Sequence, residues 1–290
     1  MVRRIIARYG RRLAVAAVLG AVGLCYLLTV QVFHIGSRPV EKAFPRSVGS
    51  GAPLAVYLEP VSIDPANASM RIRLSFWAGG AHTTFRAAVP ERDTTVRVSD
   101  YDSVHEFAFR AGEPMKAAIV DIDLDDGDFS RFPLDQYRAT LWVRAETASE
   151  MVPLVLTMWT GGLAGFTVDA AHLPDAPAPG TWLRLTIPRA GAVVLLAFAI
   201  YGAMVAVACA ALAIVVIVLA GWRPPESSLL GTLISMVFTQ ILLRNAVPGA
   251  PPLGVRGDIM VFLWAEIVCV LCLLAFIVIW ARHRPRDGLP

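Results

Sequence analysis

Lysine is almost missing from this chain: Lys42 and Lys116 stand alone beside abundant arginine among 26 basic residues in 290. That usage, with much alanine, is the composition of a high-GC bacterial genome. Cysteine is scarce too. Cys25, Cys209, Cys269 and Cys272 all fall inside apolar runs, so the long polar segment between the first two runs has no disulfide. At about 150 residues that segment is large enough to hold itself together by its own core. Cys269-Val270-Leu271-Cys272 has the spacing of a redox or metal motif, but inside an apolar helix it reads as two small lipophilic side chains. There is no Gly-x-Ser-x-Gly, no His-Glu-x-x-His and no phosphate-cradling glycine loop. His82, His105 and His172 are scattered without metal-ligand spacing, and the expectation is a protein that is not an enzyme and carries no cofactor.

What the chain has is apolar length, unevenly placed. The chain is 56% hydrophobic with mean hydropathy +0.58. Runs at Leu13–Ile35, Gly191–Leu219, Ser227–Leu243 and Ile259–Trp280 each approach the roughly 20 residues that cross a hydrocarbon core as helix. Four spans, one before and three after a large polar insert, predict an integral membrane protein. Arg3, Arg4, Arg8, Arg11 and Arg12 precede the first span, Arg223 follows the second, and Arg282, Arg284 and Arg286 follow the fourth. Basic residues at span ends favour the cytoplasmic side. Both termini are therefore expected inside a plasma membrane: residues 1–12 and 281–290 cytoplasmic, 36–188 extracytoplasmic, and 244–258 an outer loop. The first run is too long for a signal peptide and lacks a small-x-small site after it, so it is expected to stay as an anchor.

Charge divides along the same line. The segment 36–188 has 14 basic and 19 acidic residues, a balance of −5, and the remainder supplies +8 to give the formal +3. The positive charge is juxtamembrane, where anionic lipid is the natural partner. Nucleic acid is not expected as a partner.

The polar insert reads as β structure. Met70–Phe76 alternates apolar and polar residues, as a strand with one buried face does. Shorter runs recur at Leu54–Leu58, Thr95–Val98, Glu106–Phe109, Ala118–Leu124, Thr140–Val143, Val152–Trp159, Phe166–Val168 and Trp182–Ile187. Turn-rich pieces such as Asp64–Asn67, Gly79-Gly80 and Asp126-Gly127 separate them. Gly36–Pro53 reads as a linker and Pro174–Gly180 as a surface loop. The spacing predicts an antiparallel β-sandwich, and the chain as a whole an α+β membrane protein. Asp121, Asp123, Asp125 and Asp128 form the most acidic run. Calcium loops space oxygen ligands in this way, but here the turn glycine comes one place late and no closing Glu follows. The simpler reading is a strand with Ile122 and Leu124 inward and the aspartates in water.

The later spans are unlike one another. Gly202, Ala206 and Ala210 give the second a face of small residues, which lets helices approach closely in lipid. In the third, Ser228, Thr232, Ser235 and Thr239 follow at intervals of four, three and four and fall within an arc of about 60° at helical pitch. Glu226 precedes them, and Gln240 and Arg244 follow. Such a ladder glues helices together, bonds back to its own backbone, or lines a water-filled path when copies gather round an axis. Glu266 lies two turns into the fourth span, where a carboxyl in lipid needs a partner or a cavity; Gln240, Arg244 and His34 are the candidates.

Two resemblances rest on particular segments. The one-plus-three layout, Phe132-Pro133-Leu134-Asp135-Gln136-Tyr137, and Asn245–Gly254 resemble an actinobacterial family of integral membrane proteins known as a domain of unknown function (family 4436). It implies location and shape and no activity. More loosely, residues 120–280 resemble pentameric ligand-gated ion channels, through Phe132–Asp135, the order of the last three spans, Glu226 with its hydroxyl ladder, and the proline-bearing loop Val247–Leu253. The chain departs from that pattern in its shorter outer domain, its missing cysteine pair, its extra first span and the lack of a span after the fourth. The first expectation is a non-enzymatic membrane protein whose outer β-domain binds a partner, an envelope component or lipid, as part of a homo-oligomer or hetero-complex. The alternative is a channel-like oligomer with the third span lining the path.

Overall fold

The computed structural model describes residues 40–49, 53–78, 89–100, 102–159, 163–174, 179–249 and 251–283, with a few isolated positions between 20 and 31. The first span, the basic N-terminus, His34, the turn Gly79-Gly80 and the tail beyond 283 lie outside the described residues.

Alternating side chains build two facing sheets. In β2 (Leu54–Asp64) and β3 (Ser69–Ala78), Leu58, Ile72 and Leu74 point inward, while Glu59, Arg71 and Arg73 point out. β1 (Glu41–Ala43), β6 (Ala118–Asp123) and β10 (Leu154–Trp159) complete this sheet in the order β1-β10-β2-β3-β6. The second runs β11-β12-β8-β4-β5, built from β4 (Thr94–Ser99), β5 (Val104–Phe109), β8 (Gln136–Glu146), β11 (Asp169–His172) and β12 (Thr181–Pro188). Two short strands, β7 (Asp126–Gly127) and β9 (Met151–Val152), also pair with β8. Val96, Leu141, Val143, Leu183 and Leu185 from this sheet meet Val56, Ile72, Leu74 and Leu156 of the other in one core.

Four strand expectations need correction. β10 pairs with β2 in parallel, Leu154 opposite Leu54 through Met158 opposite Leu58, so the sandwich is not wholly antiparallel. Alternation reports which face is buried, not which way a strand runs. Val152–Trp159 is two strands because Pro153 has no N–H to give the ladder. Phe166 makes only an isolated bridge, to Arg189, and the strand forms at Asp169–His172. The segment read as linker contains β1, paired with β10.

Three helices follow. α1 (Gly191–Leu219), α2 (Ser227–Asn245) and the stretch Asp258–Arg282 are each long and apolar enough to cross a membrane. The last opens with a π-helical turn, Asp258–Phe262, and continues as α3 (Leu263–Arg282). Only Arg189 and Ala190 separate β12 from α1. Ala197, Tyr201, Met204, Ala208 and Ala211 of α1 pack with Leu233 of α2 and with Ala265, Cys269, Cys272 and Phe276 of α3. Phe132, which precedes β8 in the sandwich, belongs to this helical core, together with Val247 and Val255 from the α2–α3 loop.

The small-residue face of α1 packs against neither α2 nor α3. Gly202, Ala206 and Ala210 are exposed, and nothing lies within 4 Å of a Cβ placed on Gly202. The face of α1 that packs within the chain is the one bearing Tyr201, Met204 and Ala208.

Candidate functional site

Two buried Arg–Asp–Tyr groups occupy the region where sandwich meets helices. In the first, Arg189 Nε donates to both oxygens of Asp135 at 3.0 Å, and the Tyr137 hydroxyl donates to Asp135 Oδ2 at 2.7 Å. Asp135 sits in the turn before β8, at the cis Phe132-Pro133 bond, and is 1% exposed. The Arg189 guanidinium carbon lies 4.2 Å from the Phe166 ring centre and 5.1 Å from that of Phe132. Both rings therefore present their negative faces to a buried cation. Burial, then the bond to Asp135, pushes the Tyr137 phenol above its ordinary value. It stays a neutral donor across the physiological range. A Cβ on Gly249, in the α2–α3 loop, would come 3.0 Å from Arg189 Nη1. One arginine thus touches the sandwich, the start of α1 and the loop after α2.

The second group lies within the helices. Arg244 Nη2 donates to Asp258 Oδ2 and to the Pro251 carbonyl, each at 2.8 Å, and the Gly254 N–H adds a third bond at 3.2 Å to Asp258 Oδ2. Arg244 is in the last turn of α2 and Asp258 opens the π-turn, so the pair closes the α2–α3 loop. The Tyr201 hydroxyl is packed against Gly257, where a Cβ would overlap it.

The hydroxyl ladder is turned away from both neighbouring helices. Ser228, Thr232 and Ser235 are exposed and Thr239 is half-buried, whereas Leu233, Gln240 and Arg244 form the buried face of α2. Thr232, Ser235 and Thr239 donate back to the carbonyls of Ser228, Gly231 and Ser235, at 3.1, 2.9 and 2.7 Å. Ser228 donates to Glu226 at 3.3 Å. Among the described residues the ladder makes no bond to another helix.

Gln240 is fully buried. Its Nε2 donates to the Met204 carbonyl at 3.0 Å and lies 3.4 Å from Cys269 Sγ, tying α2 to both other helices. Neither Gln240 nor Arg244 hydrogen-bonds Glu266, contrary to the pairing expected for that acid. Gln240 is spent on α1 and Arg244 on Asp258; the buried Oε2 of Glu266 has no partner among the described residues, and the third candidate, His34, lies outside them.

The acidic run is dispersed. Asp121 takes a two-bond ion pair from Arg71, which holds its carboxyl below the usual range. Asp123 lies on the exposed face of β6, and Asp125 accepts from Thr140 at 2.6 Å. Asp128 caps a short turn through the Ser130 N–H, and that residue's side chain and backbone bonds lower its pKa. Among the described residues no three His, Cys, Asp or Glu side chains converge as a metal site.

Sequence reasoning missed both ion pairs. Asp135 stands in the Phe132–Tyr137 segment, and nothing in the spacing of the chain links it to Arg189.

The architecture defines an α+β protein, a two-sheet sandwich running directly into three apolar helices of membrane-crossing length. Residues 45–187 match the family model of a domain of unknown function, DUF4436, and residues 189–283 match that of a second one, DUF8686. The resemblance anticipated for the whole chain is therefore found in the sandwich, while the helices answer to a separate model. No curated protein matches the chain.

Proposed function

We propose that this chain is a subunit of a channel-like homo-oligomer of the plasma membrane, with α2 facing a hydrophilic path and the sandwich outside as the receiving domain. The observation that carries the proposal is the direction of the ladder. Ser228, Thr232 and Ser235 line a face of α2 that neither α1 nor α3 covers. In a lone subunit those hydroxyls would stand in lipid, where polar groups gain nothing; around an axis they would meet water. The exposed Gly202, Ala206 and Ala210 offer a close-packing surface for the next subunit. Arg189 supplies the connection by which a change in the sandwich would reach α1 and the α2–α3 loop together. The resemblance of residues 120–280 to pentameric ligand-gated channels runs the same way. Orientation is as the arginines suggest, with both termini cytoplasmic, and surrounding lipid is the constant partner.

The test is cysteine substitution along α2 in a background free of native cysteine, with a charged thiol reagent applied from water. Labelling should follow the four-three-four interval of 228, 232, 235 and 239 and skip 233 and 237. Uniform protection, or a monomer in mild detergent, removes the proposal.

One observation favours a second reading, a non-conducting subunit whose sandwich binds a partner protein or envelope component. The ladder hydroxyls already donate to their own helix, a conformation Ser and Thr commonly adopt in apolar helices. That reading expects a defined partner to co-purify with the full chain and to be lost on deletion of the sandwich, with no conductance in bilayers.

A further inference from the structure

The two Arg–Asp–Tyr groups differ in one respect. Around Asp135 both carboxylate oxygens and the tyrosine hydroxyl are bonded directly. Around Asp258, one oxygen accepts both protein donors while Oδ1 has no partner among the described residues. Among those residues the buried Tyr201 hydroxyl and Arg244 Nε likewise have none. All three residues are more than nine-tenths buried: Tyr201 4% exposed, Asp258 5% and Arg244 8%. Each such atom, left alone, forfeits the hydrogen bonds it would make in water.

The unsatisfied atoms belong to one place. Nε shares a rigid plane with the Nη2 that holds Asp258, and Oδ1 shares the carboxylate. Tyr201 feels the charges of both Asp258 and Arg244. Its hydroxyl meets the backbone at Gly257, the residue before Asp258. The π-turn that starts at Asp258 widens the helix by one residue at this point, a feature that recurs at functional positions.

We propose that Tyr201, Arg244 and Asp258 form a binding site for one small neutral hydrogen-bonding molecule, water in the native protein. Charge decides the class of occupant. A cation beside Oδ1 would face the arginine, and an anion beside Nε would face the carboxylate. A water accepts from Arg244 Nε, donates to Asp258 Oδ1 and pairs with the Tyr201 hydroxyl, which gives it the two to four polar partners that buried waters keep. Bound there, it joins α1 to the hairpin of α2 and α3 at a point where no direct hydrogen bond among the described residues does so. The site stands whether or not α2 lines a path, because it is enclosed within one subunit and lies off the hydroxyl face.

The experiment is electron cryomicroscopy of the full chain in lipid nanodiscs, at a resolution that shows ordered solvent, on wild type and Tyr201→Phe. The wild type should show one solvent peak within hydrogen-bond reach of Tyr201 Oη and Asp258 Oδ1, lost or weakened in the variant. A direct Tyr201–Asp258 bond with no peak overturns the proposal, as does a peak unchanged in the variant. A companion measurement uses the rate of thermal unfolding of Tyr201→Phe, Asp258→Asn and the pair. Residues sharing one mediator couple, so the double variant should unfold at least about fivefold more slowly than the product of the single effects predicts. Strict multiplication of the two single effects would overturn the proposal.

Discussion

Arg189, two residues before α1, reaches back to Asp135, 54 residues earlier, and both oxygens of that carboxylate share its Nε–H. The pair is more buried than any other ion pair found among the described residues, with side chains 8% and 0% exposed. Its consequence is thermodynamic first. Removing one member strands the other charge, at a cost of about 3–5 kcal/mol. Asp135→Ala and Arg189→Ala should each lower the midpoint of thermal unfolding in detergent. The double variant should be milder than the sum of the two. Arg189→Lys should recover little, since an ammonium lacks the flat face that lies against Phe166. Equal behaviour of Lys and Arg at 189 would show that charge alone matters there.

The ladder hydroxyls make a contrasting case. Their bonds are local and their face is open, so Thr232→Val and Ser235→Ala should change stability by no more than about 0.5 kcal/mol. The proposed path would nevertheless lose a polar surface. Bilayer recordings on these variants should show altered conductance in a protein that assembles normally.

Gln240 separates polarity from volume. One of its amide atoms bonds the Met204 carbonyl and the other, Oε1, has no partner among the described residues. Gln240→Leu gives up a helix-to-helix bond of about 0.6 kcal/mol in lipid and also removes a stranded acceptor. Its unfolding midpoint should stay close to wild type. Gln240→Ala leaves a cavity at a fully buried position and should cost about 2–3 kcal/mol. A large loss in the leucine variant would mean that Oε1 has a partner.

Gly257→Ala should displace Tyr201, because the new methyl group overlaps its hydroxyl. Overpacking of this kind costs about 1–3 kcal/mol. Combined with Tyr201→Phe the penalty should shrink, which a comparison of unfolding midpoints for the four proteins would reveal.

Acid provides a check on the sandwich. Asp100 gathers the backbone N–H groups of Asp102, Ser103 and Asp123, joining the β4–β5 turn to the end of β6. Burial pushes its pKa up, but these bonds outweigh that and set it below 3.8. The folded form thus holds its proton less tightly than the unfolded chain. The stabilisation is complete above the unfolded value and is lost as pH falls through the lower, folded one. Wild type and Asp100→Asn should differ in unfolding midpoint at pH 6 and converge as the solution is taken below pH 3.8. A gap that persists undiminished there would place the effect elsewhere.

Much of this fold was legible in composition and period. Alternation located β3, β4, β6 and the middle of β8, and apolar length located all three described helices. Azimuth was not legible. The four-three-four spacing places Ser228 to Thr239 on one side of α2, but no spacing within a helix says whether that side meets α1, α3 or neither. The same limit misled at Gly202, Ala206 and Ala210, whose small face turned outward. Long-range pairing was hidden for a different reason. Arg244 and Asp258 were read as ends of an exposed loop, whereas the helix runs two residues further and the π-turn brings the acid inward. Asp135 and Arg189 lie 54 residues apart, and only the register of β8 with β12, with Gln136 opposite Pro188, brings them together.

The two family models meet at residue 188, yet Phe132 lies beyond that border in space. Its ring belongs to the helical core although its backbone belongs to the sandwich. A fragment ending at 187 would therefore carry an uncovered aromatic ring and, without Arg189, an aspartate stripped of its counter-ion. The border between the two matched segments is therefore not a border in packing. Anyone expressing the sandwich alone should expect a sticky, destabilised fragment unless Phe132 and Asp135 are replaced along with the cut.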